Sequence, residues 1–188
     1  MKTCTTKQKT KRDAYDMAKL GQNTSNGSGG SRAKNTETPP KGTFIALCLG
    51  SDEEYGVTRK KFDSDEEETV DLISFYFGYK LKSGEPFVIR SRRMKLSGHE
   101  KSALFQFVAN WIGERPTADF DTQSLHGRPA QITVAHEVSA SSGKTYANLK
   151  SAAPLMDGLE AAVPAARLFD GIFQSEDGGA ADDDKIPF

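Results

Sequence analysis

Val70 to Leu96 constrains this chain more than any other stretch, because it reads as two strands joined by a tight turn. Val70–Lys80 is β-branched and aromatic, a composition that suits a pleated surface with packed neighbours. Lys82-Ser83-Gly84-Glu85-Pro86 supplies the turn, since Gly84 can take positive φ and Pro86 stiffens the start of the next strand. The second run, Phe87–Leu96, sets Arg90, Arg92, Arg93 and Lys95 among apolar residues. Aromatic rings on one strand and cations on its neighbour suit an unpaired nucleic-acid strand, whose bases stack and whose phosphates need counter-charge. A core hairpin with a solvated cationic outer face explains the same residues equally well. On the first strand, Ile73/Phe75/Phe77/Tyr79 and Val70/Leu72/Ser74/Tyr76 are each a credible core face, and a slip of one residue exchanges them. Alternation in the second strand fails at Arg92-Arg93, as it would at a β-bulge.

The segments on either side extend the pattern. Phe44–Leu49 reads as a short buried first strand ended by Gly50. Ser51–Glu68 carries eight acidic and three basic residues and is expected to be a long solvated loop, or two strand ends joined by one. Its run Glu66-Glu67-Glu68 lacks the spacing of metal ligands. After the hairpin, Ser97 followed by Glu100 has the form of a capping box. Leu104, Phe107, Val108, Trp111 and Ile112 then make one helical stripe, ended by Gly113 and Pro116, with Trp111 expected in the core. Ala130–Val138 alternates as a strand, Ser139–Lys144 turns, and Thr145–Ala152 reads as a last strand with Ala147 and Leu149 opposed to Tyr146, Asn148 and Lys150. His136 falls on the apolar side and is expected to be a packed core histidine.

Three strands, a capped helix and two strands is the element order of the OB-fold, a five-stranded Greek-key barrel. The expected class is therefore all-β with one helix between strands three and four. That fold binds oligonucleotides on its second and third strands and on the loop between strands four and five, where this chain has the aromatic/basic hairpin and Lys144.

With 188 residues there is room for one such domain and appendages, and a hydrophobic content of only 36% points to disordered segments diluting it. Residues 1–41 hold nine Lys/Arg against three Asp/Glu, a net of +6, and read as a disordered basic arm closed by Pro39-Pro40. Residues 157–188 hold two Lys/Arg against eight Asp/Glu, a net of −6, and read as a disordered acidic tail. Within it, Leu168, Phe169, Ile172 and Phe173 are spaced for a short amphipathic turn. The domain is expected to span 42–156. Cys4 and Cys48 lie in unlike surroundings and do not suggest a disulfide, and no Cys/His spacing suggests zinc. No apolar run reaches membrane-spanning length and no signal peptide is evident, so the expectation is a soluble protein of a reducing cytoplasm without a membrane partner.

The chain ends Asp182-Asp183-Asp184-Lys185-Ile186-Pro187-Phe188. An acidic run closing in Ile-Pro-Phe resembles the C-terminal tip of bacterial single-stranded DNA-binding proteins, which recruits replication, recombination and repair proteins. Gly84–Ile89, Leu96–Leu104, Trp111-Ile112-Gly113, Leu125–Pro129 and Tyr146–Ser151 resemble the OB-fold single-stranded DNA-binding proteins of bacteriophages, over roughly 42–155. Lys185, the basic arm and the acidic 51–68 segment depart from that pattern. The resemblance implies a partner-binding tip at Asp182, Asp183, Asp184, Ile186, Pro187 and Phe188, and a setting in the bacterial cytoplasm or a phage-infected cell.

The combined expectation is a sequence-tolerant binder of single-stranded DNA with no cofactor, no metal and no catalysis. Arg90, Arg92, Arg93, Lys95, Lys80, Lys82, Lys144 and Lys150 would meet phosphates. Tyr76, Tyr79 and Tyr146 would stack on bases. Whether the chain forms a homo-oligomer is left open. The rivals are an RNA-binding, cold-shock-like barrel and a protein-binding adaptor barrel. An enzyme is the weakest rival, for want of a phosphate loop or a nucleophile–base pair.

Overall fold

A computed structural model describes residues 32–174, apart from 34, 36, 62–64, 118, 141 and 142. The partner-binding tip expected at Asp182, Asp183, Asp184, Ile186, Pro187 and Phe188, together with Cys4 and most of the basic arm, lies outside the described residues. In chain order the elements are β1 (Arg32–Ala33), β2 (Gly42–Lys60), β3 (Glu67–Lys80), β4 (Pro86–Arg90), β5 (Met94–Lys95), α1 (Ala103–Ile112), β6 (Pro129–Val138), β7 (Thr145–Ala153) and β8 (Phe173–Gln174). Short 3₁₀ turns fall at Thr122–Leu125, Glu160–Ala162 and Ala166–Phe169. The chain is β-rich, and its main body is one antiparallel sheet ordered β4-β3-β2-β6-β7, with β5 also paired to β3. The strand after the helix thus returns to lie beside the first long strand. β1 and β8 form a separate two-stranded ribbon.

Two expectations about the strands are corrected, and one open alternative is decided. The first strand does not stop at Gly50. It runs on to Lys60, pairing with β3 down to Lys60↔Glu67, with irregularities at Cys48/Gly50 and Glu54/Val57. The acidic segment is therefore two strand ends with residues 61–66 between them, the second of the two forms expected, with Asp52 buried and Glu53 and Glu54 half-buried. The second strand of the hairpin breaks at Ser91–Arg93, dividing β4 from β5. Ser91 remains fixed, its N–H donating to Phe75 O (2.8 Å) and its Oγ accepting from Phe75 N (2.9 Å), while Arg92 and Arg93 are lifted into solvent.

The core face of β3 is Ile73, Phe75, Phe77 and Tyr79, packed with Leu104, Val108, Trp111, Leu125, Ile132 and Leu149. α1 covers this face with the expected stripe; Trp111 is fully buried, donates to Pro129 O (3.2 Å), and meets Phe77 edge-on at 4.9 Å. The helix starts later than the capping-box pattern implies. Ser102 is the N-cap, its Oγ accepting from Phe105 N (3.1 Å), whereas Glu100 pairs with Arg115. Gly113 closes it at φ 77°, the left-handed conformation that favours glycine. His136 is not in the core: it is exposed, with Nε2 2.8 Å from Pro39 O. Cys48 is a free, buried thiol, and burial pushes its pKa up to about 12.

The expected boundaries of arm and tail also move. Asn35 places its side chain against β4 like a short peptide, accepting from Val88 N (2.9 Å) and donating to Val88 O (2.6 Å). Of the tail, residues 157–174 are described, and Phe169, 1% exposed, packs on the outer face of the sheet among Tyr76 and Val88, with Ile172 and Phe173 beside it. The amphipathic spacing supplies this anchor, and Leu168 is left outward. Among the described residues no helix is long and apolar enough to cross a membrane.

Candidate nucleic-acid interface

The register of β2, β3 and β4 dictates what the cations of the hairpin can do. Asp52 pairs with Ser74, Gly50 with Tyr76, and Tyr76 with Arg90, so these side chains share the outer face. Arg90 is held there on every side. Its guanidinium lies 2.5 Å from Asp52 Oδ2 and 3.1 Å from Glu54 Oε1, its Nε donates to Ser74 Oγ at 2.7 Å, and it sits 5.6 Å from the Tyr76 ring centre. Asp52 is buried, so this pair is far better shielded than a surface ion pair. Arg93 donates to Glu54 Oε2 at 2.9 Å and Lys95 lies 3.5 Å from Glu68. Burial raises the Glu54 pKa, but hydrogen bonds and charge from Arg93 and Arg90 outweigh it and hold the carboxyl below its ordinary value. The hydrogen bond from Arg59, followed by the charges of Lys95 and Arg59, lowers that of Glu68.

Two of the three expected stacking rings are taken. Tyr79 is fully buried, stacked 4.4 Å from Phe44 and 5.9 Å from Phe87, and burial drives its hydroxyl pKa well up. Tyr76 is covered by Phe173, 5.2 Å away, and its pKa is raised by burial. Neither ring can meet a base as the structure stands. The reason is that both faces of β3 are buried, one by the core and one by residues far away in sequence.

What remains open is the gap between the edge strands β4 and β7, which pass near each other without a shared ladder. A cleft of about 250 Å³ there is lined by Arg90, Ser91, Arg92, Glu137, Asn148, Leu149 and Lys150. A second, of about 330 Å³, adjoins it through Arg90 and reaches Asn35, Val88 and Tyr146. Tyr146 is 50% exposed, because β7 turns it to the outside opposite Glu137. Lys150 pairs with Glu137, which also accepts from Asn148 Nδ2 at 2.6 Å, and the Lys150 contact lowers the Glu137 pKa. Arg92 is exposed at the mouth and has no ion pair among the described residues.

Of the residues singled out in the sequence, Arg90, Arg92 and Lys150 therefore line the first cleft, and Arg90 and Tyr146 the second. Lys144 is exposed in the β6–β7 turn, where its carbonyl accepts from Ser139 N (2.9 Å). Lys80 and Lys82 are exposed at the other end of β4, Arg93 is engaged by Glu54 on β2, and Lys95 by Glu68 on β3. Glu137, Asn148, Asp52 and Glu54 were missed as parts of this surface. Counting back across the Ser139–Lys144 turn places Glu137 opposite Tyr146, so that one was within reach. Among the described residues no cluster of three or more His, Cys, Asp or Glu side chains could hold a metal. No family model, curated protein or solved structure matches the chain.

Proposed function

We propose that this protein is a sequence-tolerant binder of single-stranded DNA, performing no chemistry, that coats and protects the strand in replication, recombination and repair. The observation that carries the reading is the groove between β4 and β7, formed by two clefts that share Arg90, one lined by Arg92 and Lys150 and the other by the exposed Tyr146 ring. Rings supply sequence-independent stacking, and cations on the same path follow phosphates. The sheet order supports an OB barrel, since the fourth long strand lies beside the first in a Greek-key arrangement and the helix falls between the third and fourth. In that reading β4 and β7 are the incompletely closed seam. The resemblance to phage and bacterial single-stranded DNA-binding proteins supplies the rest of the proposal: a cytoplasmic setting and recruitment of partner proteins by Asp182–Phe188.

The test is oligo-dT binding across a salt series. Log affinity should fall against log salt with a slope of about −0.7 per phosphate contact. Tighter binding to a matched RNA would move the reading to an RNA partner. A second reading, a protein-binding barrel, is favoured by the carboxylates that neutralise Arg90, Arg93, Lys95 and Lys150 from within. Failure to shift a long oligo-dT at low salt would select it.

A further inference from the structure

A glycine inside an apolar strand usually marks a bulge or a close approach. Gly78 has no positive φ and lies in an unbroken stretch of the β3–β4 ladder. A Cβ built there would fall 2.6 Å from ring carbons of Phe169, so the missing side chain is the seat of that ring. Phe173 rests beside Gly50, its ring 3.5 Å from where a Cβ would be, an ordinary contact that a side chain there would also allow. Phe169 and Phe173 thus pack on a part of the outer face that presents an aromatic ring, Tyr76, beside a cation, Arg90.

The segment that carries them, residues 166–174, is lightly fastened. Its 3₁₀ turn has no side-chain cap, its ribbon pairs only Arg32↔Gln174 and Ala33↔Phe173, and no ion pair ties it down among the described residues. We propose that residues 166–174 are a strap that occupies a nucleobase-stacking site in cis, and that single-stranded DNA displaces it to reach Tyr76. This rests on the function proposed above. A strand first held in the β4–β7 groove lies next to Arg90, which belongs to both surfaces, so binding extends from the groove onto the uncovered face. The chemistry fits the exchange: two rings leave a pocket built for rings, and the incoming bases carry phosphates toward Arg90.

The full-length chain tests this by hydrogen exchange with and without saturating oligo-dT. Amides of 166–174 should exchange faster in the complex, while those of β3 should not; unchanged or slower exchange at 166–174 overturns the strap. Phe169→Ala and, independently, Gly78→Ala should tighten oligo-dT binding and lengthen the occluded site. If the closed strap holds nine molecules in ten, the gain is about tenfold, because only the open fraction binds in the extended mode. Adding Tyr76→Leu to Phe169→Ala should erase that gain. Variants that keep the wild-type melting transition yet show no gain, or that bind more weakly, count against displacement. Should the wild type bind oligo-dT with its strap amides still protected, the strap alone fails. Should neither wild type nor Phe169→Ala bind, the function fails with it.

Discussion

The two faces of β3 are both buried, yet by different physics. The inner face is apolar apart from the buried Tyr79 hydroxyl: Ile73, Phe75, Phe77 and Tyr79 meet the helix stripe and β6. The outer face is mixed, with a shielded Asp52–Arg90 pair, a serine, and a tyrosine covered by Phe169 and Phe173. Burial on the inner face is irreversible short of unfolding, since its only competitor is water. On the outer face, under the proposed function, the covering groups have competitors of their own kind: phosphate for carboxylate, base for phenylalanine. A surface can therefore be buried and still be a binding surface, if what buries it resembles the ligand.

Substitutions sharpen this contrast. Trp111→Ala, on the inner side, should cost about 3–5 kcal/mol through lost transfer energy and the cavity left behind. A thermal melt should show a drop in Tm of roughly 10–20 °C; a drop of only a few degrees would mean that the core closes without the indole. Asp52→Ala breaks the outer pair and leaves Arg90 with Glu54 and Ser74. Fully buried pairs lose about 3–5 kcal/mol on such truncation, and partial exposure of Arg90 lowers the expectation to about 1–3 kcal/mol. Chemical denaturation measures it. An effect equal to that of Trp111→Ala would erase the distinction between the faces.

The same contrast explains what the sequence revealed. Periodicity reports which residues turn toward one interior, so the α1 stripe, β6, β7 and the β3 strand itself were legible. It did not choose between the odd and even sets of β3, because both are buried, and Ser74 and Gly78 look polar or neutral only until their partners are known. The acidic 51–60 stretch read as either loop or strand end, because its strand character comes from pairing with β3, not from apolar residues. Arg90, Arg92, Tyr146 and Lys150 were legible as a cationic and aromatic set. That Arg90 is neutralised while Arg92 is not depends on register across β2, β3 and β4, and register is not written in any one strand. Phe169 was visible as part of an amphipathic turn, but its seat, Gly78, lies 91 residues earlier.

Tyr146 and Arg92 belong to neither covered face, and they offer a cleaner measurement. Tyr146→Ala should weaken oligo-dT binding by about 1–3 kcal/mol, the usual value of one stacked base, with the melting transition unchanged. No change in affinity would remove the ring from the groove. Arg92→Ala should make the salt slope shallower by about 0.7, one phosphate contact, whereas Arg93→Ala should leave it nearly unaltered because Glu54 already holds that cation. Equal effects from the two would show that the internal pair opens freely in the presence of DNA.

The smallest effect concerns Glu54 itself. Its folded pKa is depressed by Arg93 and Arg90, so its stabilising contribution is present above the unfolded value, about 4.3, and is lost as pH falls through the lower folded value. Between pH 7 and pH 5 the carboxylate stays charged, and neither stability nor DNA affinity should respond to it. Glu54→Gln imitates the acid form at neutral pH. It should cost only about 0.2–1 kcal/mol, as expected for a partly exposed pair. It also frees Arg93, while Arg90 stays with Asp52, so oligo-dT binding should tighten and its salt slope should steepen by about 0.7. An unchanged slope would mean that Arg93 lies off the path of the strand, and that the carboxylates of β2 guard stability rather than the groove.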